Sequence, residues 1–272
     1  MYFLKLCLIC CLYLFSGCDI LDEEDKQVSD VFAKKVTVFK IPIYATSNVN
    51  DTTIMHAAKV MAKYLDSNDD GTVNDANVLA ALQSSGSGLC ITKDGDESES
   101  VMDSLGKNGR SLQELYQSET VIPNGTNGQF DFALEEILHL ITQKGYANVH
   151  QELSEVKGSQ LANAMDAARG GYFETVPVNY PDGAWYTYDD PSCDYACMIT
   201  EYFYWGITSF LGAQNFSGRL EQIQHEWKLN TAIKVQNDDT ALHAILTNAS
   251  FNLPSVLPDG NYTSLTFEIT AP

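Results

Sequence analysis

Two glutamates and a histidine interrupt an apolar helical pattern near the middle of this 272-residue chain. Glu135, Glu136 and His139 lie in segment 133–141, whose other residues are all apolar. Residues four apart lie on the same face of a helix, so Glu135 and His139 can reach one ion. Carboxylate oxygens and imidazole nitrogens both ligate divalent transition metals. The spacing therefore predicts a helix that binds a metal ion.

The segment resembles the motif helix of the zincin class of zinc peptidases, His-Glu-x-x-His, with Glu135 in place of the first histidine. The resemblance implies that Glu135 and His139 hold Zn²⁺ and that Glu136 is the general base for a metal-bound water. A carboxylate at the first position makes the donor set harder, which also suits manganese or iron. The alternative interpretation is an exposed polar helix face without a metal.

A third ligand is expected from later in the chain. Glu201 is an isolated carboxylate in the apolar, aromatic segment 198–211, where an ionised glutamate is costly unless it is paired or metal-bound. The segment resembles the helix that delivers a glutamate ligand in some zincins. Tyr202 and Tyr204 stand beside Glu201, and one of them is expected to donate a hydrogen bond to a reacting carbonyl oxygen.

Two further candidates have simpler explanations beside the functional one. His56 lies in a predicted helix at 52–65 and is a second candidate metal ligand, although a histidine among alanines and methionines is also typical of a core position. Asp189 and Asp190 form an alternative carboxylate pair, or a helix-capping loop before Cys193.

A second motif predicts calcium. Residues 66–77 fit the loop pattern Asp-x-Asn-x-Asp-Gly, in which Asp66, Asn68 and Asp70 offer side-chain oxygens and Thr72 offers its carbonyl. The usual bidentate glutamate at the twelfth position is an asparagine, and Asp75 compensates only in part. We expect a single structural Ca²⁺ site, with a polar helix–helix turn as the alternative.

The composition restricts the possible partners. A net charge of −20 argues against nucleic acid and against charge-driven binding to anionic lipid. No stretch is long enough to predict a transmembrane helix. The expected partner is a peptide or protein substrate. Cys193 and Cys197 are close enough in sequence for a disulfide.

The N-terminus predicts export. Residues 1–17 have the charge, apolar run and small residues of a signal peptide, and the sequence before Cys18 resembles a bacterial lipobox, with an ordinary secretory signal as the alternative. Residues 18–35 are predicted to be an acidic tether, and residues 36–272 a single globular domain. The expected location is extracytoplasmic, either secreted or attached to a membrane only through lipid on Cys18.

The order of elements predicts an α+β fold, with a small mixed sheet and helices in the N-terminal half and a mostly helical C-terminal half. The order is similar to that of the zincins. Strands are expected at 36–44, 88–92 and 119–122, and short helices at 101–105 and 112–116. Longer helices are expected at 52–65, 75–83, 130–143, 160–168, 198–211, 217–229 and 239–246.

Several segments together resemble a family of uncharacterised secreted and lipoprotein-type proteins. They include 56–66, 135–142, 165–171, 184–190, 193–198 and 211–214. This resemblance implies one domain and no particular activity. Two functions remain: a divergent zincin-like metallopeptidase, and a non-catalytic, calcium-stabilised surface binding lipoprotein.

Overall fold

The computed structural model describes residues 26–272, so the predicted signal peptide and the lipidation site at Cys18 lie outside the described residues. In chain order the helices and strands are α1 (Val28–Val31), β1 (Lys34–Val38), β2 (Ile41–Ala45), α2 (Asp51–Leu65), α3 (Ala76–Ser85), β3 (Gly88–Thr92), α4 (Gly95–Leu105), β4 (Leu112–Tyr116), α5 (Ala133–Ile141), α6 (Ala147–Val149), α7 (Gln160–Ala168), α8 (Tyr195–Leu211), α9 (Arg219–Ile223), α10 (Ala232–Asp238) and α11 (Thr240–Leu246).

The sheet is mixed and its strand order is β1-β2-β3-β4. β1 and β2 pair as an antiparallel hairpin, whereas β2–β3 and β3–β4 are parallel pairs. Parallel neighbours need a crossover connection. Here α2 and α3 connect β2 to β3, and α4 connects β3 to β4. The α+β class predicted from the sequence is confirmed, and likeness to the zincins stays a prediction.

Helices cover both faces of the sheet. Ile43 and Leu89 point into the main core, where α2 and α5 lie, and their neighbours Tyr44 and Cys90 point to a smaller core formed with α1 and α4. The alternation follows from the period of two along a strand. β3 is buried along its whole length, which explains its continuous run of small and apolar residues. The motif helix α5 is thus held on a rigid layer.

The strand predictions are partly wrong. The segment expected as one strand at 36–44 is a hairpin, because Phe39 and Lys40 take positive φ angles of 45° and 68° and turn the chain without a glycine or asparagine signal. Leu112–Tyr116, expected as a short helix, is the edge strand β4. The segment expected as an edge strand at 119–122 begins at the last residue of a 3₁₀ turn and joins no described strand. β4 is a strand because it pairs with β3, and this pairing outweighs the local propensity of its residues.

The long helices agree better with the sequence. α2, α7 and α8 lie where periodicity places them. The helix expected at 217–229 is limited to Arg219–Ile223. The chain leaves the helix there because Trp227 packs in the core, where its indole N–H donates to Ser209 Oγ at 2.9 Å. Among residues 26–272 no helix has the length and apolar character needed to cross a bilayer.

The folded chain begins before the predicted boundary at residue 36. α1 and the start of β1 lie within the segment predicted as a tether, and Phe32 is buried in the smaller core. A disulfide joins Cys193 and Cys197, the pair whose spacing allows one, at the start of α8. It constrains the first turn of the helix that carries Glu201.

Candidate metal centre

Local sequence fixes the two helices that form the site. Asp131 precedes α5, and its Oδ1 accepts a hydrogen bond from the Ala133 backbone N–H at 3.2 Å. α8 is capped by Asp194, whose carboxylate accepts from the Cys197 N–H at 2.9 Å, and ends at Gly212 with φ of 93°. The Asp131 and Asp194 carboxylates pair backbone N–H groups that the helix starts leave free, and Gly212 ends α8 in the left-handed conformation. The two helices pack against each other across the main core.

This packing brings Glu201 on α8 to the motif residues on α5. One ligand atom each from Glu135, His139 and Glu201 lies within 4.8 Å of the others. His139 Nε2 is 3.6 Å from Glu201 Oε2. That distance exceeds a hydrogen bond but is close to the separation of about 3.4 Å expected for two ligands of one tetrahedral ion. The grouping predicted from the sequence is therefore present in the fold.

His139 Nε2 is buried and has no hydrogen-bond partner among the described residues. The other ring nitrogen, Nδ1, is 3.6 Å from Glu136 Oε2, and Glu136 also accepts a hydrogen bond of 2.7 Å from the Gln113 amide on β4. Buried polar atoms are almost always paired, so a free Nε2 calls for an explanation. The arrangement matches a metal-binding histidine whose second nitrogen is oriented by a carboxylate.

The charges in the cluster are not balanced. Burial alone would lower the pKa of His139, but the charges of Glu201, Glu136 and Glu135 raise it to about 9. Burial, followed by repulsion from Glu201, raises the pKa of Glu135 well above its ordinary value. Burial also raises the pKa of Glu201, against the favourable charge of His139. When ionised, three carboxylates around one imidazole carry excess negative charge, which a divalent cation would neutralise.

Glu135 is held by a hydrogen-bond chain. The Tyr204 hydroxyl donates to Glu135 and accepts from the Gln214 amide at 3.2 Å. Gln214 in turn accepts from Arg219 Nε at 2.7 Å. Tyr204 is buried, so it supports the carboxylate and does not reach toward a substrate. Its predicted role as an electrophilic helper does not fit this position.

A cavity of about 300 Å³ opens beside the cluster. Two of the grouped residues, Glu135 and Glu201, line it directly. The remaining lining residues are aromatic, apolar, polar or charged: Phe132, Tyr188, Trp205, Arg219, Gln222, Ile223, His225 and Glu226. A catalytic metal site needs an open position beside its protein ligands, and this cavity provides the space.

The remaining residues predicted for this centre lie elsewhere. His56 Nε2 is 2.7 Å from Asp131 Oδ2 and both side chains are buried, so His56 belongs to a structural pair. Asp131 is 75 positions away in sequence, which explains why spacing could not reveal it. The Tyr202 hydroxyl donates to Asp239 at 2.7 Å within the core. Tyr202 is therefore a core residue and not an electrophilic helper.

Sequence reasoning missed Tyr188, which lines the cavity and hydrogen-bonds Glu201. In the sequence it stands beside the candidate pair Asp189 and Asp190, with no spacing relation to α5 or α8. The sequence pattern also did not reveal Arg219 and Glu226, because neither has a spacing relation to α5 or α8. These residues reach the cavity through tertiary packing alone.

The predicted calcium loop is closed by protein hydrogen bonds. Asp66 is buried and accepts from the Asp70 N–H at 3.3 Å, the Gly71 N–H at 2.7 Å and the Tyr262 hydroxyl at 2.6 Å. Asp69 accepts from backbone and hydroxyl groups of 263–264. The loop thus fastens the C-terminal segment to the end of α2.

The other predicted calcium ligands are also engaged. Asp70 accepts from the Asn68 amide at 2.8 Å and the Thr72 N–H at 2.7 Å. Asp75 caps α3 and accepts from Asn252, so it does not complete the loop as predicted. Among the residues that the structure covers, Asp66, Asp70 and Asp75 do not form a group with ligand atoms within 4.8 Å. Calcium binding at this loop stays a prediction.

A second group of possible ligands lies near the cavity mouth. Asp189, His225 and Glu226 place one ligand atom each within 4.8 Å of the others, with Asp189 and His225 exposed. The neighbouring Asp190 accepts from the Ser192 N–H in a local turn, and the residue that caps α8 is Asp194. Exposure makes this group a weaker metal candidate than the buried one.

No family model matches the chain, and neither a curated protein nor a solved structure is significantly similar to it. The chemistry of the site thus rests on its own side chains, within a fold of the α+β class.

Proposed function

We propose that the protein is a metal-dependent hydrolase that acts on peptides and holds one divalent transition metal through Glu135, His139 Nε2 and Glu201. The observation that carries the proposal is the buried, unpartnered Nε2 at 3.6 Å from a Glu201 oxygen. A hydrogen-bonded core histidine would have a partner at that nitrogen. Two carboxylates and one imidazole suit zinc, and also manganese or iron.

When bound, the metal would supply a Lewis acid that lowers the pKa of water and polarises a carbonyl group. The chain's own residues would hold the peptide in the cavity. Tyr188, whose hydroxyl contacts Glu201, is the best placed to donate a hydrogen bond to the carbonyl oxygen. Glu226 is the cavity carboxylate not assigned to the metal, and burial raises its pKa, which suits a proton acceptor.

Glu136 takes a different role in this proposal from the general base expected by resemblance. Its carboxylate lies at His139 Nδ1 and at Gln113, on the side of the imidazole away from Nε2. A carboxylate in this position orients the ring and its proton for metal binding.

Two substitutions at Glu136 separate these roles. Glu136→Ala should weaken zinc affinity by about 10- to 100-fold, whereas Glu136→Gln, which keeps an acceptor oxygen, should weaken it far less and keep most hydrolysis. A competition titration with a coloured chelator measures the affinity. If Glu136→Gln abolishes hydrolysis with unchanged zinc affinity, Glu136 is the base and the orienting role is wrong.

A substitution at Glu135 should have opposite effects on the two forms of the protein. Because burial and Glu201 penalise the ionised Glu135, Glu135→Gln should stabilise the metal-free protein by about 1 kcal/mol, or about 2–4 °C in melting temperature. The same change should remove most stabilisation by added zinc. The exposed Glu221→Gln is the matched control and should leave both values within about 0.5 kcal/mol of wild type. A metal-free Glu135→Gln protein that melts below wild type would contradict this account.

The proposed location is outside the cytoplasm, with membrane attachment only through Cys18. The Cys193–Cys197 disulfide supports an oxidising compartment. A calcium-stabilised binding protein without catalysis is the competing proposal.

The test of function uses the purified mature chain and a mixed set of fluorogenic peptides. We expect hydrolysis with zinc, manganese or iron, its loss with a chelator, and its recovery when the metal returns. Glu201→Gln should remain inactive under every condition. Peptides left intact by a protein shown to hold one metal ion at this centre would contradict the hydrolase proposal.

A further inference from the structure

Arg219 is a buried cation without an acidic partner. Only 7% of it is exposed, and no carboxylate of residues 26–272 lies within 4.0 Å of its guanidinium. It packs on aromatic rings, with its guanidinium carbon 4.4 Å from the Phe130 centroid and 5.8 Å from that of Trp205. Arginine is seldom buried without a counter-charge because desolvation of the ion is costly.

The neutral partners of Arg219 do not use all its donors. Nε donates to Gln214 Oε1 at 2.7 Å, and Nη1 donates to Gln222 Oε1 at 3.3 Å. The Tyr204 hydroxyl accepts a third hydrogen bond. A guanidinium carries five N–H groups, so two remain.

The side chain of Arg219 lines two cavities. One is the cavity beside the metal centre, and the other, of about 290 Å³, lies next to it and shares Phe132, Arg219 and Gln222. Arg219 therefore stands between the proposed reaction site and a second space that a peptide residue could occupy.

We propose that Arg219 binds a carboxylate of the peptide substrate, so that the protein prefers peptides with a free carboxylate next to the bond that is cleaved. The preference at the cleaved bond rests on the proposed hydrolase function, whereas the binding of a carboxylate by Arg219 does not. The planar guanidinium matches a carboxylate through two parallel hydrogen bonds. Glu135, Glu201 and Glu226 line the same cavity, and their charges disfavour a doubly charged anion such as phosphate.

The binding test compares three short peptides by calorimetry, with metal-free and zinc-loaded protein. They are acetyl-Ala-Ala-Phe with a free C-terminus, the same peptide as its amide, and acetyl-Ala-Glu-Phe amide. We expect the first to bind at least tenfold more tightly than its amide. If only the third peptide binds tightly, Arg219 binds an acidic side chain of the peptide, and the proposed preference for a free C-terminal carboxylate is wrong. Equal affinity for all three in the wild-type protein would overturn the proposal.

Variants then assign the preference to Arg219. Arg219→Lys should reduce the preference for a free carboxylate, and Arg219→Met should remove it. Lys228→Met is the matched control, since Lys228 donates to the Ala184 carbonyl and lines a different cavity. If Arg219→Met weakens zinc affinity and leaves the peptide preference intact, Arg219 only positions Glu135 through Gln214 and Tyr204, and the proposal is wrong.

The same samples separate the two proposals. Zinc affinity reports on the metal centre, and the ratio of acid to amide affinity reports on Arg219. A preference for the free carboxylate without zinc binding would support Arg219 and contradict the hydrolase. Zinc binding without the preference would do the reverse.

Discussion

Replacing His139 with alanine should abolish the stabilisation of the protein by zinc. For a ligand that binds only the folded state, a free concentration about 1,000 times the Kd adds about 4 kcal/mol to the free energy of unfolding. The variant lacks the imidazole of the proposed centre, whose buried Nε2 has no hydrogen-bond partner among the described residues, so we expect little or no rise in its melting temperature. Differential scanning fluorimetry across a zinc series measures the effect.

Two histidine variants control for binding elsewhere. His243→Ala removes a half-buried histidine that packs on Phe210, and should leave the zinc response unchanged. His225→Ala removes the imidazole of the second ligand group near the cavity mouth. If His225→Ala abolishes the response and His139→Ala does not, the metal belongs to the exposed group.

Replacing Asp131 with alanine should destabilise the fold by about 3–5 kcal/mol. Its carboxylate contacts His56 Nε2 at 2.7 Å and accepts from the N–H groups of Val121 and Ala133 at 3.1 and 3.2 Å. The substitution leaves a buried imidazole and the start of α5 without their partner. Urea denaturation of the metal-free protein measures the loss.

A double-mutant cycle with His56→Ala assigns the effect to the pair. The double variant should be less destabilised than the sum of the single variants, because the two side chains are in contact. If Asp131→Ala lowers the free energy of unfolding by less than about 1 kcal/mol, the pair contributes little to stability. His56 would then again be a candidate metal ligand.

Local signals predicted the helices that carry the centre. The apolar background of 133–141 and 198–211 places Glu135, His139 and Glu201 on two buried helices, and the cost of a buried charge suggests that they meet. Local patterns therefore predicted which three side chains group together, and their role as metal ligands stays a proposal. The structure adds the orphan Nε2 and the position of Glu136 on the opposite ring nitrogen.

Features that depend on distant contacts were not predictable. His56 and Asp131 are in contact although 75 positions separate them in sequence. Arg219 lies on a short helix that ends earlier than predicted, because Trp227 packs into the core. β4 is a strand because β3 pairs with it, although its residues alone also suit a helix. Propensity and spacing are local quantities, so they do not report such contacts.

The loop predicted to bind calcium forms the turn that its pattern requires. Asp66 and Gly71 form the sharp turn that the motif requires, with a hydrogen bond of 2.7 Å between them. The buried Asp66 also anchors Tyr262 of the C-terminal segment. The turn therefore has a structural role with or without Ca²⁺.

Anomalous diffraction at the zinc edge, from crystals grown with zinc, tests the central claim most directly. We expect one strong peak about 2.0–2.2 Å from His139 Nε2 and from oxygens of Glu135 and Glu201. A peak only at Asp189, His225 and Glu226, or no peak within ligand distance of His139 at saturating zinc, would contradict it.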